Sequence, residues 1–439
     1  MVVSNTEIVS LSLSFTLSLH RISLRFLFTL FTVFDPHPHH PPPLIMLRAT
    51  QLRAAAASFY LPPVSFIGAG ALKMAGPKLK SMNIKHAFIV TDKGIRAAGL
   101  LEPVLATLKQ EAGIAAFDVF DDVQPNPTVK NVMDGLAHLN QTPADVIISV
   151  GGGSPQDAAK GIAVLKTNGG KVQDYEGLDR VAKPQFPIVA INTTAGTASE
   201  ITRFAVITDE ERVVKMVVTS DMMTTAVAVN DAELMLKLPK AITAATGMDA
   251  LTHAVEAYVS IIASPVTDAC ALQAMRLIKK HLYTATHEGD NVVARDGMSY
   301  AEYLAGMAFN SASLGYVHAM AHQLGAVYHL AHGVCNAILL PHVEDYNKVR
   351  CAHRLRDVAE ALGVSTVGLS DLEAADAAVA AIRALSAAVE IPSGFAALGV
   401  PKDADLMPLA EAALRDICAA TNPRVGDKND ILQIYQRAL

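Results

Sequence analysis

Short apolar runs alternate with helical segments through the first half of this chain, and that alternation restricts the fold more than any other feature. Residues 145–150, DVIISV, run straight into Gly151, Gly152 and Gly153. Residues 86–91, HAFIVT, close at Asp92, Lys93 and Gly94, and residues 187–192, PIVAIN, open into a Thr-rich turn. Residues 65–71 and 117–120 add two more strand candidates, and the two prolines of QPNPT, residues 124–128, dictate a turn. Strands separated by helices predict a parallel sheet with helices on its faces. Ligands of such sheets sit at the carboxyl ends of the strands.

After about Leu236 the pattern changes. Residues 242–260, 268–281, 299–309 and 370–389 carry apolar residues at helical spacing, rich in Ala, with no convincing strand between them. The expected fold class is therefore α/β plus all-α. An amino-terminal parallel-sheet domain over residues 54–236 precedes a carboxyl-terminal helical bundle over residues 237–439. A length of 439 residues agrees with two domains, because one hydrophobic core rarely grows so large.

Composition narrows the partners. With 51% hydrophobic and 18% charged residues and a net charge of -6, the folded part reads as globular, with no reason to expect nucleic acid or a membrane. Cys270, Cys335, Cys351 and Cys418 are widely spaced and form no C-x-x-C pair, which argues for reduced thiols in a reducing compartment. Residues 1–53 differ from the rest. A Leu/Ser/Phe-rich stretch over residues 11–34 is followed by a Pro/His run over residues 35–43. His20, Arg21 and Arg25 stand in the middle of that stretch and count against a membrane anchor. The Arg and Ser content fits a transit peptide, and a later start, at Met46 or beyond, fits equally. The expected location is the cytoplasm, with mitochondria as the alternative if the leader is a transit peptide.

Two of the strand-end turns are built for phosphate. Ser154 is placed as a helix N-cap, with Pro155 in the first turn and Asp157 at the capping-box position, and the glycines before it admit close approach of an anion. A bare GGGS is also what an ordinary strand-to-helix turn looks like. The neighbouring turn supplies Thr193, Thr194, Gly196 and Thr197, with Thr197 and Glu200 spaced as a second capping box. Paired polar turns suit a pyrophosphate and a ribose. Asp92, ending an earlier strand, would accept from an adenosine ribose and repel a 2'-phosphate, favouring NAD over NADP; alone, such a residue is more often just a turn former.

The second half carries metal-ligating residue types. Asp249 and His253 stand four apart in AATGMDALTHAVEAY, so one helix face presents a carboxylate and an imidazole. His318, His322, His329 and His332 crowd the stretch GYVHAMAHQLGAVYHLAHGVCNAILLP. One such histidine is commonly core packing; four together are not. Asp249 and His253 with His318 and His332 would form an O/N/N/N set suited to Fe(II), Zn(II) or Mn(II). A lone surface pair would explain Asp249 and His253 equally, except that the small apolar neighbours make an unpaired carboxylate costly.

Together, GGGSPQDAAKGIA, INTTAGTASE, AATGMDALTHAVEAYVS and the histidine stretch resemble the iron-dependent, group III alcohol dehydrogenases, from about Ala54 to Leu439, and most of all their short-chain-alcohol and ethanol dehydrogenase branch. The resemblance implies a dinucleotide-binding α/β domain, a helical metal-binding domain and a site in the cleft between them. It implies that Asp249, His253, His318 and His332 hold Fe(II), with zinc a substitute, and that His322 lies near the nicotinamide and relays a proton. It gives Asp92 to the ribose of NAD and Asn126 to the cofactor cleft. Gly152, Gly153 and Ser154 go to the pyrophosphate, Thr193, Thr194 and Thr197 to the phosphate and nicotinamide side, and Lys215 to a further cofactor contact. His329 and Ala331 depart from the Asn and Pro common in the family, so His329 is not expected to be a ligand. The expected function is interconversion of small primary alcohols and aldehydes with NAD(H) by a homodimer or larger homo-oligomer. Two alternatives stand beside it. One is a metal-dependent lyase or synthase of the related dehydroquinate synthase kind, told apart by net NADH release. The other is a nonenzymatic protein that keeps the metal only for assembly.

Overall fold

The computed structural model describes residues 56–439. The leader expectations for residues 1–53 lie outside that range. The first half contains β1 (Ser65–Ile67), α1 (Ala71–Ser81), β2 (His86–Asp92), α2 (Lys93–Ala97), α3 (Leu101–Thr107), β3 (Ala116–Val123), α4 (Val129–Leu139), β4 (Val146–Gly151) and α5 (Gly153–Asn168). It continues with β5 (Gly177–Leu178), β6 (Ile188–Asn192), β7 (Phe204–Asp209), β8 (Val214–Thr219) and β9 (Val227–Asn230). Six strands form one parallel sheet in the order β1-β9-β6-β4-β2-β3. Its inner strands are mostly apolar, and separate cores form on its two faces, one around Phe88, Ile147 and Ile162, the other around Ile89, Ile148 and Val104. Register carries polar groups to one line: Gly151 pairs with Asn192, and Asn192 with Asn230, at the carboxyl ends of β4, β6 and β9.

The second half is helical: α6 (Lys240–Val259), α7 (Pro265–His287), α8 (Val292–Ala312), α9 (Tyr316–Tyr328), α10 (His332–Ala361), α11 (Asp371–Ala388), α12 (Met407–Ala413) and α13 (Lys428–Arg437). Helix α6 is the centre of this half, buried at every position from Gly247 to Val259 and enclosed by α7, α8 and α10. No described helix is long and apolar enough to cross a membrane.

Two features depart from the sequence expectation. Strands β7 and β8 form an antiparallel hairpin that the periodicity did not reveal. Its turn lacks glycine; the Asp209 carboxylate instead accepts from the Glu211 and Arg212 amides, and Val213 takes the left-handed conformation at φ 54°. The Thr-rich turn also leads into no helix. Ala198 stands at φ 51°, and Glu200 is drawn away to Asn230 Nδ2 at 2.7 Å, so the Thr197–Glu200 capping box does not form.

The turn is fastened to the helical half through α8. Glu302 accepts from Asn192 Nδ2 at 3.1 Å and from the Ala198 amide at 2.7 Å. Glu302 Oε2 and Glu200 Oε2 have no donor, the arrangement two carboxyls adopt with one proton between them. Burial and the neighbouring Glu200 push Glu302 well above the usual carboxylate range. Close backbone approach completes the fastening, since a Cβ on Gly306 would lie 2.4 Å from Ala198 Cβ and 2.7 Å from Ile201 Cδ1. Gly306→Val is expected to cost about 1–3 kcal/mol, read as a lowered denaturant midpoint. An unchanged midpoint would mean that this contact does not hold the turn.

Candidate active site

A cavity of about 180 Å³ opens where the strand ends meet α6, α9 and α10. Asn126, Gly153, Ser154, Thr197 and Lys215 line its sheet side; Asp249, His253, His318, His322 and His332 line its helical side. Asp92, Gly152, Thr193 and Thr194 are not among the lining residues.

On the sheet side, α5 begins at Gly153, with Gly152 in the cap position and no side chain satisfying the first amides. Ser154 is therefore not the N-cap, and its Oγ accepts instead from the Asn126 amide at 3.2 Å. Asp157 likewise leaves the capping role, accepting from Ser199 Oγ at 2.6 Å and the Val206 amide at 3.0 Å. The consequence is a helix start whose N–H groups are open to an anion. The glycines also let the two turns touch: a Cβ on Gly152 would stand 2.8 Å from Thr194 Cγ2, and one on Gly153 would stand 3.0 Å from Thr197 Cγ2. Thr194 Oγ1 binds Asn192 Oδ1, and Thr193 Oγ1 is buried without a partner. Asp92 caps α2 through the Ile95 amide at 2.9 Å. Lys215, on the hairpin, reaches Asn126 Oδ1 at 2.7 Å, and burial lowers its pKa to about 8.

On the helical side, Asp249, His318 and His332 bring ligand atoms together. Asp249 Oδ1 lies 3.8 Å from His318 Nε2 and 3.7 Å from His332 Nε2. All three acceptors point at one donor, Asn336 Nδ2, at 2.6, 3.0 and 3.1 Å. An amide NH₂ has two hydrogens and cannot serve three acceptors. With lone pairs on both Nε2 atoms one acceptor is left over, and a cation satisfies all three. The site thus fits a divalent ion on its own chemistry. His253 stands beside this group, its ring stacked on His318 at 4.6 Å between centroids and on Phe309 at 4.2 Å.

The tautomers agree. His253 Nδ1 lies 3.1 Å from the Gly196 carbonyl and must carry the hydrogen, which leaves the lone pair on Nε2. His318 Nδ1 is held by the Glu256 carboxyl, whose other oxygen accepts from the Val317 amide at 2.7 Å. Burial drives His253 down to about 4, His318 to about 3 and His332 well below its usual value, so the imidazoles are neutral, the form that binds metal. His322 pairs through Nδ1 with Asp416 Oδ2 at 2.8 Å. His329 is exposed at the end of α9, with φ 56°, outside the cluster.

Glu256, Asn336 and Asp416 escaped the sequence reading. Glu256 follows His253 by one helical turn, so it extends the Asp249/His253 stripe, and Asn336 stands one turn after His332; both spacings were visible. Asp416 carried no such signal. Phe309 and Cys418, which sequence could not place, both line the cavity.

Comparison with known proteins decides the family. Residues 62–232 match "Iron-containing alcohol dehydrogenase", and residues 243–439 match "Fe-containing alcohol dehydrogenase family, C-terminal". The chain belongs to the iron-containing alcohol dehydrogenases. It is 49% identical over 382 residues to a 1,3-propanediol dehydrogenase of Klebsiella pneumoniae, spanning 87% of this chain and 98% of the relative. It is 46% identical over 382 residues to an NAD-dependent methanol dehydrogenase of Bacillus methanolicus, spanning 87% and 100%. A solved 1,3-propanediol oxidoreductase superposes with a TM-score of 0.85 at 48% identity, covering 88% of this chain and all of the other. This iron-containing alcohol dehydrogenase is accordingly an enzyme and an oxidoreductase, with iron and NAD as the metal and hydride carrier of its family. The lyase and the nonenzymatic alternatives fall away.

Carboxylates behind ligating histidines orient the ring and raise its basicity, and losing one typically costs about 10–100-fold in metal affinity. Glu256→Gln is expected to lower affinity in that range, measured by chelator competition on folded protein. Affinity equal to the parent chain would remove Glu256 from the metal site.

Proposed function

We propose that this enzyme interconverts small primary alcohols and their aldehydes with NAD(H), using Asp249, His253, His318 and His332 to hold the metal. The observation that carries this reading is the convergence of three acceptors on Asn336 Nδ2 in the wall of the cavity that also reaches the open start of α5. When bound, the metal supplies a Lewis acid for the alcohol oxygen, and NAD supplies the hydride acceptor.

The chain's own residues do the rest. Gly153 and Ser154 present backbone amides to the pyrophosphate, with Gly152, Thr193, Thr194 and Thr197 shaping the turns around it. Asp92 spends Oδ1 on the Ile95 amide, which leaves Oδ2 for a ribose hydroxyl and opposes a 2'-phosphate. Lys215 and Asn126 form the outer wall of the cleft. Phe309, Leu314 and Cys418 give the substrate end an apolar lining. The relatives named for propanediol and methanol support a short alcohol as substrate. His322 takes the alcohol proton. The four cysteines are free and buried, which supports a reducing compartment: cytoplasm, or mitochondria if residues 1–53 are a transit peptide. The family resemblance supports a homodimer or larger homo-oligomer.

Metal-depleted protein should still bind NADH by fluorescence, lose alcohol oxidation and regain it with Fe(II); full turnover after complete depletion would refute the metal's role. His318→Ala should lose bound metal, whereas His322→Ala should keep it and lose turnover. Equal metal loss in both would overturn the division of labour. Replacing Asp92 by Gly should raise the kcat/KM ratio of NADP to NAD by about tenfold or more, in line with about 1.4 kcal/mol per tenfold; an unchanged ratio would take Asp92 out of cofactor choice.

A further inference from the structure

His322 differs from the neighbouring histidines in what holds it. Its Nδ1 faces Asp416 Oδ2 at 2.8 Å, and both side chains are buried, at 4% and 5% exposure. Asp416 itself is fixed: Oδ1 accepts from the Cys418 amide at 2.9 Å, capping the short 3-10 helix over Ile417–Thr421. Burial pushes the Asp416 carboxyl up, but His322 and the Cys418 amide outweigh it and hold the group below its usual value. An ionised carboxylate accepting two N–H groups leaves the hydrogen on His322 Nδ1. Only Nε2 then remains to act in the cavity that His322 lines. The ring lies flat against His332, 5.4 Å between centroids and 18° apart, yet contributes no atom to the converging Asp249, His318 and His332 group.

We propose that Asp416 is the positioning residue for proton transfer, holding His322 in the Nδ1–H tautomer so that Nε2 accepts the alcohol proton. The inference rests on the proposed function above. In alcohol oxidation the O–H bond breaks and its proton goes to Nε2. The C–H electron pair leaves with its hydrogen as hydride to NAD, and the carbonyl forms. His322 then releases one proton to water, so the products are aldehyde, NADH and a proton. In aldehyde reduction the path reverses. Asp416 stays ionised throughout, and its oxygens never touch the substrate.

The experiment compares the parent chain with Asp416→Asn, Asp416→Glu, His322→Ala and the Asp416→Asn/His322→Ala double variant, each loaded with Fe(II), with bound metal and the unfolding midpoint measured on the same samples. Asn can donate as well as accept and leaves the tautomer undetermined. Asp416→Asn should keep stoichiometric metal and a near-parent KM for alcohol. Its kcat should fall by about 100-fold, the low end for losing an acid–base group, with a larger solvent deuterium isotope effect. Asp416→Glu should recover part of kcat. In the His322→Ala background, Asp416→Asn should cost little more, because the two act as one unit. A kcat loss of equal size in both backgrounds, or one that tracks lost metal, would overturn the proposal. A parent enzyme without Fe(II)-dependent alcohol oxidation would instead overturn the underlying functional reading, and with it this one.

Discussion

The structure depends on a carboxylate held inside a helical core. Asp249 is 1% exposed on α6, among Met248, Ala250 and Leu251, which are fully buried. A carboxylate buried without partners is strongly destabilising. Its partners come from three directions. Helix α10 brings Asn336 and His332, α9 brings His318, and a cation at their focus would complete the set. The packing of α9 and α10 on α6 is thus chemically as well as sterically determined, and Glu256 adds a second tie by binding the start of α9 through the Val317 amide and His318.

The sheet solves a different problem, which is to bring backbone amides to the same cavity. Parallel register places Gly151, Asn192 and Asn230 side by side, so the turns that follow share one edge. The Thr-rich turn has no helix of its own to steady it. Glu302 steadies it from α8 instead, and the Gly196 carbonyl in the same turn orients His253. One loop is therefore held by α8 and in turn meets the ring of His253 on α6, which ties the sheet side of the cavity to the helical side.

Most of the architecture was legible because it rests on local periodicity. Residues 86–91 and 145–150 became His86–Asp92 and Val146–Gly151, and residues 242–260 became Lys240–Val259. The β7–β8 hairpin was not legible, since an Asp side chain and a strained Val make its turn where Gly or Asn would have announced it. The capping boxes misled for a related reason. Spacing shows that Asp157 and Glu200 can reach back to a helix start, but it cannot show that Ser199 and Asn230, distant in sequence, compete for them and win. Candidate ligands were legible as residue types on helix faces, and of the second partners Glu256 stood within reach on the same stripe; Asp416, the partner of His322, is 94 residues away in sequence and is a tertiary fact.

Those second partners sort the histidine cluster better than proximity does. Three of the four rings differ in what meets Nδ1. A backbone carbonyl meets Nδ1 of His253, and a buried carboxyl that also ties down the Val317 amide meets Nδ1 of His318. His332 has no Nδ1 partner and joins the set through its position at the start of α10, where Asn336 is its next-turn neighbour. His322 meets the Asp416 carboxyl, which is set apart on a short helix beyond α12. Four chemically identical side chains within one cavity are thus set in different surroundings by groups drawn from α6, α10, the Thr-rich turn and the short helix after α12.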